Sequence, residues 1–238
     1  MFLDVTKTLA GGFVVSCEIF GLTLAFGIPL GLLVCFGYMN NWAPFKHAAL
    51  PQGRHTAALR AFRPVSAILG VIIWIVRGTP LLLQLVFVYY GLPIILGYPV
   101  FGNSERVEAA ILTFTINYAC YFAVIFRGGI EGVPRGQTEA GLVLGMTKGQ
   151  VFFHVTLLQL IKRIMPPMSN EIITLVKDTA LARIIAVMEI FYYGYRYVKS
   201  EALVWPLFYT GAFFLAFVGG LTILFSFIER RLAYIKIL

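Results

Sequence analysis

Three charged residues lie within or at the ends of long apolar runs, where a charge is costly. Arg77 stands in the middle of one run, and Glu171 and Asp178 stand seven residues apart near the end of another. A spacing of seven places both carboxylates on one face of a helix. One guanidinium and two carboxylates would match a molecule that carries both a carboxylate and an ammonium group. The three residues therefore predict a site for a zwitterion.

Each of these residues also has a plainer explanation. Arg77 could be neutralised by a buried carboxylate such as Glu171. Glu171 and Asp178 could hydrogen-bond between helices, and Lys177 beside them could mark a helix end at the membrane surface. The sequence leaves these alternatives open.

The composition identifies the kind of element that must position these charges. The chain has 238 residues, of which 59% are hydrophobic and 13% charged. A water-soluble core of this size cannot bury so much apolar surface, so we expect an all-α, polytopic membrane protein. The net charge of +8 fits loops that face anionic lipid. No nucleic-acid partner is expected, because no basic stripe with interleaved aromatic residues occurs.

Five apolar runs reach the roughly 20 residues that a bilayer core demands. The expected spans are residues 9–38, 65–96, 107–126, 151–176 and 203–228. The second is too long for one straight helix, and Gly78 and Pro80 predict a break at the middle of the membrane. If the N-terminus lies outside, ten lysines and arginines fall on the cytoplasmic side and five outside. This bias predicts an outside N-terminus and a cytoplasmic C-terminus.

A polar segment, residues 128–149, separates the third and fourth runs. It holds five charged or amide side chains and seven glycines. The bilayer core cannot satisfy these groups, so the segment is expected to form a cytoplasmic loop with a function of its own. The chain has no phosphate-binding loop, zinc-protease motif or nucleophile elbow, and its three histidines lack metal-ligand spacing. We therefore expect neither a catalytic centre nor a metal site.

Several motifs resemble those of permease subunits of ABC importers. The loop's Glu139-Ala140-Gly141, with Gly145 six residues after the glutamate, is similar to the EAA loop of that family. RGTPL at 77–81 with Gln84, PPMSNE at 166–171 and KDTAL at 177–181 resemble the polar amino acid permeases of the histidine, glutamine, arginine and cystine uptake group. The resemblance covers residues 11–230, taken as one transmembrane domain with a coupling loop at 128–150.

The resemblance implies a fold and a function. The fold would be that of type I importers (MetI-like), with about five transmembrane helices and a cytoplasmic coupling helix. The chain would be the non-enzymatic permease of an ATP-driven importer, carrying a polar amino acid across the bacterial cytoplasmic (inner) membrane. It would need no cofactor, because ATP and Mg²⁺ would be bound by a partner, a dimer of cytoplasmic ABC ATPases. A second permease chain, identical or paralogous, and an extracytoplasmic amino-acid-binding protein would complete the assembly.

The resemblance also implies roles for individual residues. Arg77 and Thr79 would contact the substrate carboxylate, while Glu171 and Asp178 would meet its ammonium or a basic side chain. The same motifs add three further substrate-binding candidates, Gln84, Lys177 and Thr179. The residues that would couple to the ATPase are Glu139, Ala140, Gly141 and Gly145.

Two other classes of protein compete with this interpretation. A secondary carrier or channel would work alone and would need no coupling loop. A membrane-bound assembly or signalling protein would have a dry bundle, which Arg77 and Glu171 disfavour. The segment 41–60 is longer than expected for the family, and the sequence does not explain it.

Overall fold

The computed structural model describes residues 1–40, 42–44, 57 and 61–233. Most of the 41–60 insert therefore lies outside the described residues. So do four of the basic residues used to predict the orientation, namely Lys46, Arg54, Arg60 and Lys236.

The described chain is a succession of helices. Helix α1 is Phe2–Tyr38, α2 is Pro64–Gly78, α3 is Leu81–Leu96 and α4 is Arg106–Glu131. Helix α5 is the short Arg135–Val143. Helix α6 consists of Lys148–Val151, a π-helical turn Phe152–Thr156 and Leu157–Asp178. A 3₁₀ segment, Thr179–Ile185, leads to α7 at Ile190–Glu201, and α8 is Trp205–Ala233.

The predicted break in the second apolar run is present and is sharp. Helices α2 and α3 meet at an angle of 106°. Thr79 (φ −116°, ψ 144°) and Pro80 (φ −61°, ψ 134°) are both extended, as expected for a proline and the residue before it. The carbonyl groups at the end of α2 thus lose their helical partners in the middle of an apolar run.

The lengths and compositions of the helices identify fewer membrane spans than the five that the sequence predicts. Within the described residues, three helices are long and apolar enough to cross a membrane, α1, α4 and α8, and the bent α2–α3 pair would make a fourth. The expected span at 151–176 lies within α6, which is long enough but carries Lys162, Arg163 and Glu171. The number of five spans therefore stays a prediction.

Helix α4 forms the centre of the bundle. Phe114, Tyr118 and Phe122 are among the largest fully buried side chains of the described residues. Helix α1 approaches α4 closely: a Cβ atom on Gly31 would lie 2.8 Å from Phe122 Cβ and 3.0 Å from the Ala119 carbonyl oxygen. Only glycine permits this separation of the two helices.

The outer faces of the bundle are apolar. Phe208, Leu215 and Ile223 of α8 are about three-quarters exposed. So many large apolar side chains are expected to contact lipid tails or another membrane helix, because their exposure to water would be unfavourable. The bundle thus turns its polar groups inward, towards α2, α4 and the end of α6.

Candidate functional site

The break between α2 and α3 opens into a cavity of about 580 Å³, called here the central cavity. It is enclosed by the break on one side and by α4 and the end of α6 on the other. Its polar lining comprises Arg77, Thr79, Asn117, Tyr118, Tyr121, Glu171, Thr174 and Asp178. Four of the predicted substrate-binding residues, from three separate stretches of sequence, thus lie around one space. The cavity combines one cation, two carboxyl groups and neutral hydrogen-bonding groups.

Arg77 stands at the end of α2 on the rim of this cavity. Its guanidinium lies over the ring of Tyr121, with Cζ 4.9 Å from the ring centroid. Among the described residues Arg77 forms no close ion pair, but its charge acts on Glu171 across the cavity, so neutralisation of Arg77 by Glu171 stays an alternative. A guanidinium that stacks on an aromatic face keeps its in-plane N–H groups free to bind a carboxylate.

Glu171 and Asp178 face the cavity from the same side of α6, as their spacing predicts. Tyr118 is buried in α4 and donates a hydrogen bond of 2.7 Å to Asp178 Oδ2. This bond fixes one carboxylate oxygen. The other oxygen and the whole Glu171 carboxyl group are then available to an ammonium group in the cavity.

Gln84 does not line the central cavity. Its side-chain nitrogen lies 2.7 Å from the Val76 carbonyl oxygen, 2.9 Å from Thr79 Oγ1 and 3.2 Å from the Thr79 carbonyl oxygen, and donates to them. The Val76 carbonyl is one of those that the break deprives of a helical partner. Gln84 therefore bridges the break from the α3 side, and a direct contact with substrate stays a prediction.

Lys177 and Thr179 also lie outside the lining of the central cavity. Lys177 is exposed, whereas Thr179 is buried and donates a hydrogen bond of 2.8 Å to the Val176 carbonyl oxygen. Thr179 thereby stabilises the change from α-helix to 3₁₀ helix directly after Asp178. Neither residue lines the cavity together with the four predicted substrate-binding residues found there. The roles of Lys177 and Thr179 as substrate contacts remain predictions.

Four polar lining residues, Asn117, Tyr118, Tyr121 and Thr174, were not singled out from the sequence. The first three lie on α4 and Thr174 lies on α6, and Asn117 is buried. An amide side chain in the middle of an apolar span is itself a signal, because polar groups at that depth face the bundle interior or a wet cavity. The two tyrosines carry no such signal, since aromatic residues are frequent throughout this chain.

The polar segment between α4 and α6 contains one short helix, α5, as the resemblance implied. Glu139 and Ala140 are exposed on α5, while Gly141 is buried against Val151 of α6. Gly145 has φ +79°, a conformation that costs an L-residue about 1 kcal/mol or more. It reverses the chain so that Thr147 can cap the start of α6, where its Oγ1 accepts from the Gln150 backbone N–H at 3.3 Å.

The tip of α5 is apolar and exposed. Val143 and Leu144 are 86% and 81% exposed, and Leu142 next to them is also exposed. Such a tip, with exposed Glu139 one turn earlier, has the form of a small knob that a cleft in another protein could receive. The buried Gly141 holds the knob close to the bundle.

Comparison with known proteins identifies the class to which this fold and site belong. Residues 49–234 match the model of the family described as "Binding-protein-dependent transport system inner membrane component". The chain belongs to this family, the membrane-spanning permeases of ABC importers.

Particular relatives are permeases for amino acids. The chain is 33% identical to the arginine transport system permease protein ArtQ of Bacillus subtilis over 175 residues, which cover 73% of this chain and 78% of ArtQ. It is 30% identical to the glutamine transport system permease protein GlnP of Escherichia coli over 214 residues, 89% of this chain and 84% of GlnP. A crystal structure of an amino acid ABC transporter with histidines superposes with a TM-score of 0.78 at 25% identity, covering 97% and 96% of the two chains.

The fold is also shared with a more distant importer. The inward-facing MetNI methionine ABC transporter gives a TM-score of 0.62 at 20% identity, over 96% of this chain and 94% of that chain. The expected all-α, MetI-like fold of type I importers is thereby confirmed, as is the assignment of the chain to the amino acid permeases.

Proposed function

We propose that this chain binds the zwitterionic part of a polar amino acid in the central cavity and carries it across the membrane when ATP is hydrolysed by a partner. The observation that carries this proposal is the arrangement of Arg77 opposite Glu171 and Asp178 around one cavity of about 580 Å³. The Arg77 guanidinium donates to the α-carboxylate. Thr79 joins this contact by turning its hydroxyl proton, which is donated to the Ile75 carbonyl oxygen at 2.9 Å, towards the substrate. Glu171 and Asp178 accept from the ammonium group or from a basic side chain.

Coupling to ATP hydrolysis takes place at α5. Glu139 and Ala140 and the apolar tip of the helix dock into a cleft of a cytoplasmic ABC ATPase dimer, which binds the ATP and Mg²⁺. This chain itself holds no cofactor. Support comes from the exposure of the tip and from Gly145, whose positive φ turns the chain from the end of α5 back to α6.

The complete transporter contains two further components besides the ATPase. A second permease chain, identical or paralogous, covers part of the apolar outer surface, and an extracytoplasmic binding protein delivers the amino acid. The chain lies in the bacterial inner membrane with its N-terminus outside and its C-terminus in the cytoplasm, as the lysine and arginine bias favours. The central cavity then lies between the outer face and the side on which α5 contacts the ATPase.

The first experiment is a gentle purification of the tagged chain, followed by uptake of radiolabelled L-arginine, L-glutamine and L-cystine into proteoliposomes. We expect an ATPase to co-purify in near-stoichiometric amount, and uptake to require both ATP and the binding protein. Replacing Glu139 and Gly145 together should release the ATPase. A chain that purifies alone and transports without ATP would instead identify a secondary carrier.

A variant of Arg77 tests the site itself. Arg77→Met should raise the KM for uptake about 10- to 100-fold, the usual effect of losing a charge-assisted hydrogen bond. Arg183→Met is the matched control, because Arg183 also stacks on aromatic rings, those of Phe191 and Tyr195, but does not line the cavity. An unchanged KM in Arg77→Met would exclude Arg77 as the carboxylate ligand.

A further inference from the structure

A second cavity lies on the other side of the break, and here we call it the inner cavity. Its volume is about 430 Å³. It shares Arg77 and Gly78 with the central cavity, and its other walls are formed by Tyr38, Ile73, Trp74, Val124 and Arg127. Arg77 therefore stands between two spaces, each large enough for a small organic molecule.

Helix α4 lines both of these spaces. Helix α4 presents Asn117 and Tyr121 to the central cavity and Val124 and Arg127 to the inner cavity, at spacings of three and four residues. Ten residues of helix separate Asn117 from Arg127, a distance of about 15 Å along the axis. The two cavities thus follow one another along the same face of α4.

The inner cavity lies towards the helix ends at which the polar loop begins. Tyr38 is the last residue of α1, and Arg127 is four residues from the end of α4. Ser66, near the start of α2, donates a hydrogen bond of 2.7 Å to the Tyr38 carbonyl oxygen, so these ends lie together. In the proposed orientation this is the cytoplasmic side.

The charges of the two cavities differ. The central cavity offers one guanidinium and two carboxyl groups, whereas the described residues that line the inner cavity include two guanidinium groups and no carboxylate. The Arg127 guanidinium lies over the Tyr38 ring at 4.5 Å, and its Nε donates to exposed Glu131 at 2.8 Å. Because that ion pair is about half exposed, it is weak and can be exchanged for another carboxylate.

We propose that the inner cavity is a second binding site for the amino acid, in which the carboxylate passes from Arg77 to Arg127 on its way to the cytoplasm. The ammonium group leaves Glu171 and Asp178 in this step, and none of the described residues that line the new site offers it a carboxylate in exchange; Glu131 beside Arg127 is about half exposed and lies outside the lining. The inner cavity therefore holds the substrate more weakly than the central cavity and favours release. This inference rests on the proposed function and on the proposed orientation.

Transport kinetics test the role of Arg127. In proteoliposomes containing the complete transporter, Arg127→Met should lower the maximal uptake rate about tenfold while the KM stays within about twofold of wild type. Arg127→Lys should restore a large part of the rate, because it keeps the positive charge. Arg231→Met is the matched control, since Arg231 stacks on Phe227 at 4.9 Å near the end of α8 but lines neither cavity.

A protection experiment tests occupancy directly. The three cysteines, Cys17, Cys35 and Cys120, are replaced by alanine, and Val124→Cys places a single thiol in the wall of the inner cavity. The amino acid that the wild type transports, chosen from the same radiolabelled panel, should slow modification of this thiol by a maleimide. The protection should disappear in Arg127→Met and persist in Arg231→Met.

The outcomes separate this inference from the proposed function. A wild-type transporter that takes up none of the three amino acids in the presence of ATP would contradict the proposed function. If the wild type transports an amino acid, either of two results would overturn the second site alone. One is an Arg127→Met variant with an unimpaired uptake rate; the other is protection of the Val124→Cys thiol that survives Arg127→Met. If Arg127→Met does not assemble, two other measurements decide the question. They are the uptake rate of Arg127→Lys and the protection of the Val124→Cys thiol in the protein that keeps Arg127.

Discussion

Asn117 donates a hydrogen bond of 3.0 Å to the side-chain oxygen of Gln84, 33 residues earlier in the chain. Since the nitrogen of Gln84 donates to Val76 and Thr79 on the far side of the break, one carboxamide joins α2, α3 and α4. The geometry of the substrate site therefore depends on a residue that does not line the central cavity. Gln84 orients Arg77 and Thr79 through the backbone that carries them.

The first prediction concerns this link. Gln84→Leu should destabilise the protein by about 1–3 kcal/mol, because the Val76 carbonyl and the Asn117 amide are left without partners. Thermal unfolding in detergent measures the loss of stability. The variant Asn117→Leu and the double variant complete a double-mutant cycle. We expect the double variant to cost less than the sum of the two single variants. Additive effects would mean that the two side chains act independently.

The second prediction concerns the hydrogen bond between Tyr118 and Asp178. Among the described residues, the Tyr118 hydroxyl group makes the one hydrogen bond to the Asp178 side chain. Tyr118→Phe removes this hydrogen bond and leaves the aromatic ring in place. The KM should rise about 3- to 30-fold, less than for Arg77→Met, because Tyr118→Phe frees the Asp178 carboxylate without removing a group that binds the substrate, and the folded protein remains intact. Uptake kinetics and thermal unfolding measure the two effects. Tyr90→Phe is a suitable control, since Tyr90 is exposed and outside the cavity.

The third prediction concerns the turn after α5. Gly145→Ala forces a side chain into a left-handed conformation and should lower ATP-driven uptake without changing substrate affinity, since the strain of about 1–2 kcal/mol lies far from the cavity. Gly149→Ala is the matched control, because a Cβ there meets nothing within 4 Å and no positive φ is involved. ATPase activity stimulated by substrate is the measurement. Equal activity of the two variants would contradict the role of the turn.

The fourth prediction concerns Glu189, which lies in the connection between α6 and α7, outside the membrane-spanning segments. Its carboxylate is fully buried and caps α7 by accepting from the backbone N–H groups of Phe191 and Tyr192 at 2.7 and 2.6 Å. Burial raises the pKa of Glu189 from 4.5 to about 7, although these hydrogen bonds and the charge of Arg183 oppose the shift.

The folded protein then binds the Glu189 proton more tightly than the unfolded chain does. The stabilisation is fully present below pH 4.5 and is lost as the pH rises to about 7 and above. Thermal unfolding of the wild type should thus show a lower midpoint at about pH 8 than at about pH 5, and Glu189→Gln should reduce this difference. The same pH dependence in both proteins would place its origin elsewhere.

Some of this structure follows from the sequence and some does not. Pro80 removes a helical donor wherever it lies, so the break could be predicted, and a spacing of seven brings Glu171 and Asp178 to one face of any helix. The partners of Gln84, by contrast, depend on the 106° angle that the chain takes at the break. Tyr118 looks like one more apolar span residue until its hydroxyl group is placed against Asp178. Lys177 next to Asp178 points elsewhere because adjacent residues on a helix differ by about 100°.

The contact of Gly31 with Phe122 also limits how the protein can move. Helices that approach this closely cannot slide past one another without separating, so α1 and α4 travel together as one rigid body. The extended Thr79-Pro80 link is then a place where backbone torsions can change. Because this link lines the central cavity, a rotation of α2 about a fixed α1–α4 axis would open the cavity.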